Sequence, residues 1–219
     1  QPPVRATDHS GAEVLQAIHQ KDGRFWKTDL NELSSNSDFR DRLVTEFEMP
    51  PGASEATLII DALNSDLITE VYQRAGALVG ENALMFYRSL EQDASLKEFF
   101  HRWIQKTSLT VELSTGQGWK EIGAILPEAN VVPFTRAIRL PNLDDVQGAL
   151  KIRLSSLTDV WHIDAVSVDY RSKELLSARP LDLTAANASN KIVDVQNVIA
   201  KSDSLYTTIM PSGYIDLTF

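Results

Sequence analysis

The segment Leu150 to Tyr170, LKIRLSSLTDVWHIDAVSVDY, carries the clearest strand signal in the chain and decides how the rest is read. Leu150, Ile152 and Leu154 alternate with Lys151 and Arg153, the period of two expected of a strand with one buried and one wet face. Further on, Trp161 and Ile163 hold odd positions while Val166, Val168 and Tyr170 hold even ones. The apolar face therefore changes parity between Asp164 and Val166, and one inserted residue, a β-bulge, is predicted there.

Working outward, 43–49 (LVTEFEM) reads as a strand stopped by Pro50-Pro51-Gly52, and 56–63 (ATLIIDAL) as its successor and antiparallel neighbour. Downstream, 109–113 and 119–125 flank Ser114-Thr115-Gly116-Gln117-Gly118, which has hairpin-turn chemistry. Strands are also predicted at 134–140 and, beyond a polar excursion over 171–190, at 193–199, 204–210 and 214–219. Helical spacing of Leu67, Val71, Ala75 and Leu78 before Gly80 predicts a helix over 66–79. Ser95 with Glu98 has capping-box spacing ahead of Leu96, Phe99, Phe100, Trp103 and Ile104, predicting a second helix to Lys106. Between them 83–90 is ambiguous and is read as strand. At the N-terminus, residues 1–9 read as a tether and Ser10 to Lys21 as a capped helix; Phe25 and Trp26 read as an aromatic anchor, and 28–41 as polar loop.

Composition narrows the function. The 219 residues carry 21 Lys and Arg against 30 Asp and Glu, a net charge of −9, so nucleic acid is a poor partner. The absence of cysteine removes disulfides, thiolate metal sites and cysteine nucleophiles. No apolar run is long enough for a membrane-spanning helix. A start at Gln1-Pro2-Pro3 without Met leads us to expect an extracytoplasmic protein, periplasmic, secreted or lipid-anchored as a lipoprotein through a removed N-terminus, with excision from a longer chain as the alternative.

The succession Phe47-Glu48-Met49-Pro50, Ala56 to Ile60, the hairpin around Gly116 to Trp119, the basic strand Leu150 to Leu154, and Trp161-His162-Ile163-Asp164-Ala165-Val166 resembles the jelly-roll β-sandwiches of the galactose-binding-domain-like superfamily, which includes many carbohydrate-binding modules. The resemblance spans about residues 43 to 170, with Tyr214 to Phe219 as a closing strand. It implies a mainly β fold: a jelly-roll-like antiparallel β-sandwich with an inserted helical pair over about 66–106, an N-terminal helical arm over 1–41, and one sandwich domain over 42–219. It also implies a non-catalytic binding module with carbohydrate as the first ligand class, a structural protein-interaction module of a cell-envelope assembly being the alternative. A structural calcium, common in that superfamily, is the one cofactor the resemblance allows.

No G-x-S-x-G elbow, glycine-rich phosphate loop or H-E-x-x-H occurs, and no catalytic residue is assigned. Sugar binding needs an exposed aromatic platform beside planar hydrogen-bonding groups. Trp119 beside its turn is the first candidate; Trp161 is the second but reads as buried, and Trp103 reads as core. Arg136, Arg139, Lys151 and Arg153 can form a basic ladder able to recognise an acidic glycan or a protein, with salt-bridged surface as the default. His162 and Asp164, two apart on a strand, lack a third metal ligand, so no metal site is assigned; Asp144 and Asp145 before Gly148 can offer oxygens to calcium. Glu46, Glu48, Asp164 and Asp169 are the only carboxylates considered for glycoside hydrolysis, and nothing in the sequence pairs them.

Overall fold

A computed structural model of the chain describes residues 1–27, 39–128, 131–140, 143–171, 181–189, 195–201, 207, 209 and 212–219. They cluster into two compact units, Gln1–Ser172 and Lys173–Phe219, and strand outweighs helix.

The first unit contains β1 (Arg5–Thr7), β2 (Arg40–Phe47), β3 (Ala56–Asn64), β4 (Leu109–Thr115), β5 (Gly118–Ile125), β6 (Phe134–Leu140), β7 (Leu150–Leu157) and β8 (Trp161–Asp169). They form two antiparallel sheets, one in the order β1-β2-β7-β4-β5 and one in the order β6-β3-β8. Alternation sets which face is dry. β2 buries Leu43, Thr45 and Phe47, β7 buries Leu150, Ile152 and Leu154, and β3 buries Leu58, Ile60 and Ala62. Both sheets feed one apolar core, in which these side chains meet Ile163, Val166 and Val168 of β8.

The predicted parity change is a real bulge. Asp61 of β3 pairs with Ala165 and the next residue, Ala62, pairs with Ile163, so Asp164 is the extra residue. Its buried carboxylate accepts hydrogen bonds from the backbone N–H of Asp22 (3.1 Å) and Gly23 (3.0 Å), where Gly23 adopts φ +80°. The bulge thereby fastens the N-terminal arm, and Trp26 pairs with Ile163 through bonds of 2.8 and 2.9 Å. The expected aromatic anchor is thus Trp26, which is buried, while Phe25 lies with its ring 6.4 Å from that of His162.

Several local expectations give way to tertiary structure. β2 and β3 are not neighbours: the Pro50 turn, closed by Ala53 N–H donating to the Pro50 carbonyl, carries the chain from one sheet to the other. The tether contains β1, an edge strand, and the first helix shrinks to α1 (Leu15–Ile18). The Asp8 carboxylate captures the N–H groups of Ser10 and Ala12, and Glu13 reaches back to the Ala6 N–H, so the capping-box residues serve a turn instead.

The insertion between β3 and β4 holds three helices, not two: α2 (Asp66–Val79), α3 (Ala83–Gln92) and α4 (Ala94–Thr107), with a 3-10 turn at Gly80–Asn82. Residues 83–90 are helical because Ala83, Phe86 and Leu90, spaced for one helix face, are its more covered residues, and Phe86 packs edge-on against Phe100 of α4 at 5.5 Å. The cap of α4 is Asp93, which accepts from Ser95 and Leu96 N–H, rather than Ser95. Trp161 is buried as expected, and its Nε1 donates to the Thr107 carbonyl at 2.8 Å, joining the end of α4 to the core. Among the described residues no helix is long and apolar enough to cross a membrane.

The second unit pairs β9 (Ala185–Ala188) with β10 (Ile215–Thr218) as an antiparallel ribbon and includes α5 (Val195–Ile199). The closing strand expected at 214–219 therefore joins β9 and neither large sheet, and 195–199 is helix rather than strand. The strand expected over 204–210 and most of the loop expected over 28–41 lie outside the described residues.

Candidate functional site

The outer face of the five-stranded sheet is polar in rows set by the register. One row joins Glu46 of β2 to Lys151 of β7, where the Lys151 ammonium lies 3.2 Å from the Glu46 carboxylate. The next row runs Val44, Arg153, Glu112, Glu121 across β2, β7, β4 and β5. Cross-strand neighbours on one face stand close enough for direct pairing. Here Arg153 Nε and Nη2 donate to the two Glu112 oxygens, both at 2.6 Å, a bidentate pair. These hydrogen bonds hold the Glu112 carboxyl below the ordinary glutamate range, against the opposing effect of its partial burial.

Trp119 lies on the same face of β5 as Glu121 and is 37% exposed. The Arg153 guanidinium carbon sits 4.5 Å from the Trp119 ring centroid, so one cation is locked between an anion and an aromatic face. Trp119 and Arg153, two of the sequence candidates, are thus in contact.

A cleft of about 560 Å³ opens beside this cluster, toward the last turns of α4. Among the described residues, Arg40 and Arg42 of β2, Arg153 of β7, and Arg102 and Lys106 of α4 line it together with the carboxylates Glu112 and Glu121, and Arg40 and Arg42 each have partners of their own. The Ser155 hydroxyl, 3.4 Å from Glu112, and Thr110 add polar groups. Arg40, Arg42, Arg102 and Lys106 are the residues that sequence reading missed. They come from segments more than fifty residues apart in the chain, and only the β2–β7–β4 register and the junction of α4 with β4 assemble them.

The ladder of four basic residues divides between the sheets. Lys151 and Arg153 share β7, whereas Arg136 and Arg139 lie on β6 of the three-stranded sheet. Arg136 pairs with Glu128 and stacks at 4.6 Å over Phe134, and Arg139 pairs with Glu55 at 2.6 Å. Arg136 lies opposite Ile60 and Arg139 opposite Thr57, so the two arginines stand on opposite faces of β6 and each is held in its own salt bridge.

The remaining candidates do not converge. His162 lies 3.6 Å from Asp159, while the Asp164 carboxylate binds the backbone of the arm. Asp144 and Asp145, exposed in a 3-10 turn, line a separate cleft of about 490 Å³ with Gln117, Lys120 and Gln147. Among the described residues no group of three or more His, Asp or Glu is arranged to hold a metal. Glu46 is engaged by Lys151, and Arg171 clamps Asp169 with bonds of 2.7 to 3.1 Å that hold its carboxyl far below the usual range.

Compared with known protein families and with curated proteins, the chain matches none.

Proposed function

We propose that the first unit is a non-catalytic binding module that uses the outer face of its five-stranded sheet, with carbohydrate as its ligand class, in an extracytoplasmic setting. The architecture we propose for it is a jelly-roll-like β-sandwich of the galactose-binding-domain-like kind. In support, eight antiparallel strands fall into sheets of five and three around a shared core, and five of the seven successive connections cross between sheets.

The observation that carries the functional reading is the Trp119 indole, part exposed and fixed against the Arg153–Glu112 pair on an open polar face beside a cleft. A pyranose presents an apolar face and a polar rim, and a rigid aromatic ring among pre-oriented hydrogen-bonding groups complements both at low entropic cost. The test is affinity electrophoresis against a panel of polysaccharides: retardation on at least one, abolished in Trp119→Ala, is expected. Absence of retardation on every glycan defeats the reading.

A second reading, a structural protein-interaction module, is favoured by the helical insertion. There Leu78 is 89% exposed, and Leu84, Met85, Tyr87 and Phe99 are each more than 60% exposed. Under this reading one stoichiometric protein partner is recovered by pull-down and lost when Leu84 and Tyr87 are both replaced by serine.

A further inference from the structure

Resting on the carbohydrate reading, we infer that the sugar is uncharged and that it reaches past Trp119 into the cleft under the β4–β5 turn, where amide, ammonium and carboxylate groups hold its hydroxyls. β5 is an edge strand of the five-stranded sheet. Successive side chains of a strand point to opposite faces, so Lys120 stands on the other side of that edge from Trp119. Lys120 lines the cleft of about 490 Å³ between the turn at Gly116 and Gln117 and the 3-10 turn that carries Asp144 and Asp145. A ligand stacked on Trp119 therefore has only one strand to cross before it enters.

The polar groups of this cleft are unspent. At the α4 cleft Arg153 is paired with Glu112 and Arg102 with Glu98, and Arg40 and Arg42 have partners of their own. Here, among the described residues, the side chains of Gln117, Lys120, Glu121, Asp144, Asp145 and Gln147 take part in no hydrogen bond and no ion pair. Lys120 thus pairs with none of the three carboxylates that share its cleft, and opposite charges kept apart around one opening leave their donors and acceptors to a third molecule. An ammonium only donates, a carboxylate only accepts, and the two amides do both. A hydroxyl also does both, so the hydroxyls of one sugar can satisfy all three kinds of group, whereas an anion meets three carboxylates and a cation meets an ammonium. Among the described residues no three acidic or histidine side chains are grouped to hold a metal, so the carboxylates do not form a cation cage. Leu113, buried, and Ile122, half-buried, supply an apolar wall for the C–H face of a sugar, and the volume is that of a small-ligand site. The turn itself is braced: Thr115 Oγ1 accepts from the Gln117 N–H at 3.3 Å and donates to the Gly118 carbonyl at 3.0 Å. Gln117 is therefore presented on a pre-organised backbone, which lowers the entropic cost of binding.

The full chain is run in affinity gels containing neutral galactan, mannan, xylan or dextran, acidic polygalacturonate, or cationic chitosan, each with and without EDTA. Retardation by at least one neutral polymer, unaltered by EDTA, is expected. Because an uncharged ligand has no charge to screen, its affinity should change by less than about twofold between roughly 50 and 300 mM salt. The double variant Asp144→Ala/Gln147→Ala, with both positions exposed, should lose about tenfold in affinity or more at an unchanged melting temperature, since it removes two hydrogen-bonding partners, one of them charged. Wild-type affinity in that variant, with retardation still lost in Trp119→Ala, overturns the cleft as a sugar site and leaves the carbohydrate reading standing. Retardation by polygalacturonate or chitosan alone overturns the uncharged ligand, and loss of retardation in EDTA overturns direct contact in favour of a bound cation. Retardation by none of the polymers overturns the carbohydrate reading itself, and this inference with it.

Discussion

The β7–β8 region and the helical insertion are both rich in apolar residues, yet they spend them differently. In β8, Trp161, Ile163, Val166 and Val168 are all buried, each against a partner supplied by another strand or helix. Across α2, α3 and α4 only Ile68 and Thr107 are buried, and α3 buries none of its residues. A strand face is closed by the opposing sheet, whereas the three helices meet the core through few side chains, Ile68, Tyr72 and Trp103 among them, and otherwise have chiefly one another to cover. Apolar periodicity thus identifies an element without saying whether its stripe will be sealed.

The contrast can be broken at several points, in descending size of effect. Trp161→Ala removes a core ring and the donor that holds the end of α4, and should cost about 3–5 kcal/mol in denaturant unfolding; a loss under about 1 kcal/mol would mean the junction is not part of the core. Asp164→Ala leaves two backbone donors of the arm without their acceptor and should cost about 1–3 kcal/mol, with faster proteolysis after Arg24 or Lys27 as a local readout. Unchanged cleavage there would separate the bulge from the arm.

Glu112→Gln should cost about 1–2 kcal/mol at neutral pH by weakening a charged bidentate pair. Because Arg153 lowers the folded pKa of Glu112, its contribution is fully present above the ordinary glutamate value of about 4.3 and is lost as pH falls through the folded value. The difference between wild type and Glu112→Gln should therefore be flat from neutral pH to about 5 and shrink on further acidification. A difference that grows on acidification would contradict the pair. The smallest effect is expected from Leu84→Ser or Tyr87→Ser in the insertion, within about 0.5 kcal/mol. A loss above about 2 kcal/mol would show that these side chains are covered in solution and erase the contrast.

The parts legible in the sequence were those where one local rule dominates. The bulge followed from a parity change within six residues, the β4–β5 hairpin from glycines around a two-residue turn, and α2 from a regular stripe ended by Gly80, which adopts φ +49°. The misread parts were decided by partners far away in the chain. Phe86 is helical beside Phe100, Glu13 bonds the Ala6 N–H, and β3 bypasses β2 for β6 and β8. The site divides in the same way. Trp119 and Arg153 stood out because an aromatic beside a turn and an arginine on an outward strand position are visible locally. Arg40, Arg42, Arg102 and Lys106 carried no such mark, since their common property is a meeting place that exists only once α4 has run into β4 and β2 has paired with β7.

That pairing has a consequence in time. Leu43 lies opposite Leu154 and Ile60 opposite Val166, so each central strand waits for a partner more than a hundred residues later in the chain. α3 and α4, by contrast, find each other across a single residue. During synthesis α3 and α4 emerge before β7 and β8, so neither large sheet can be completed, nor the bonds from the arm to Asp164 formed, until those strands have been made. Contacts so distant in sequence put refolding in the slow, millisecond-to-second range typical of β-rich topologies.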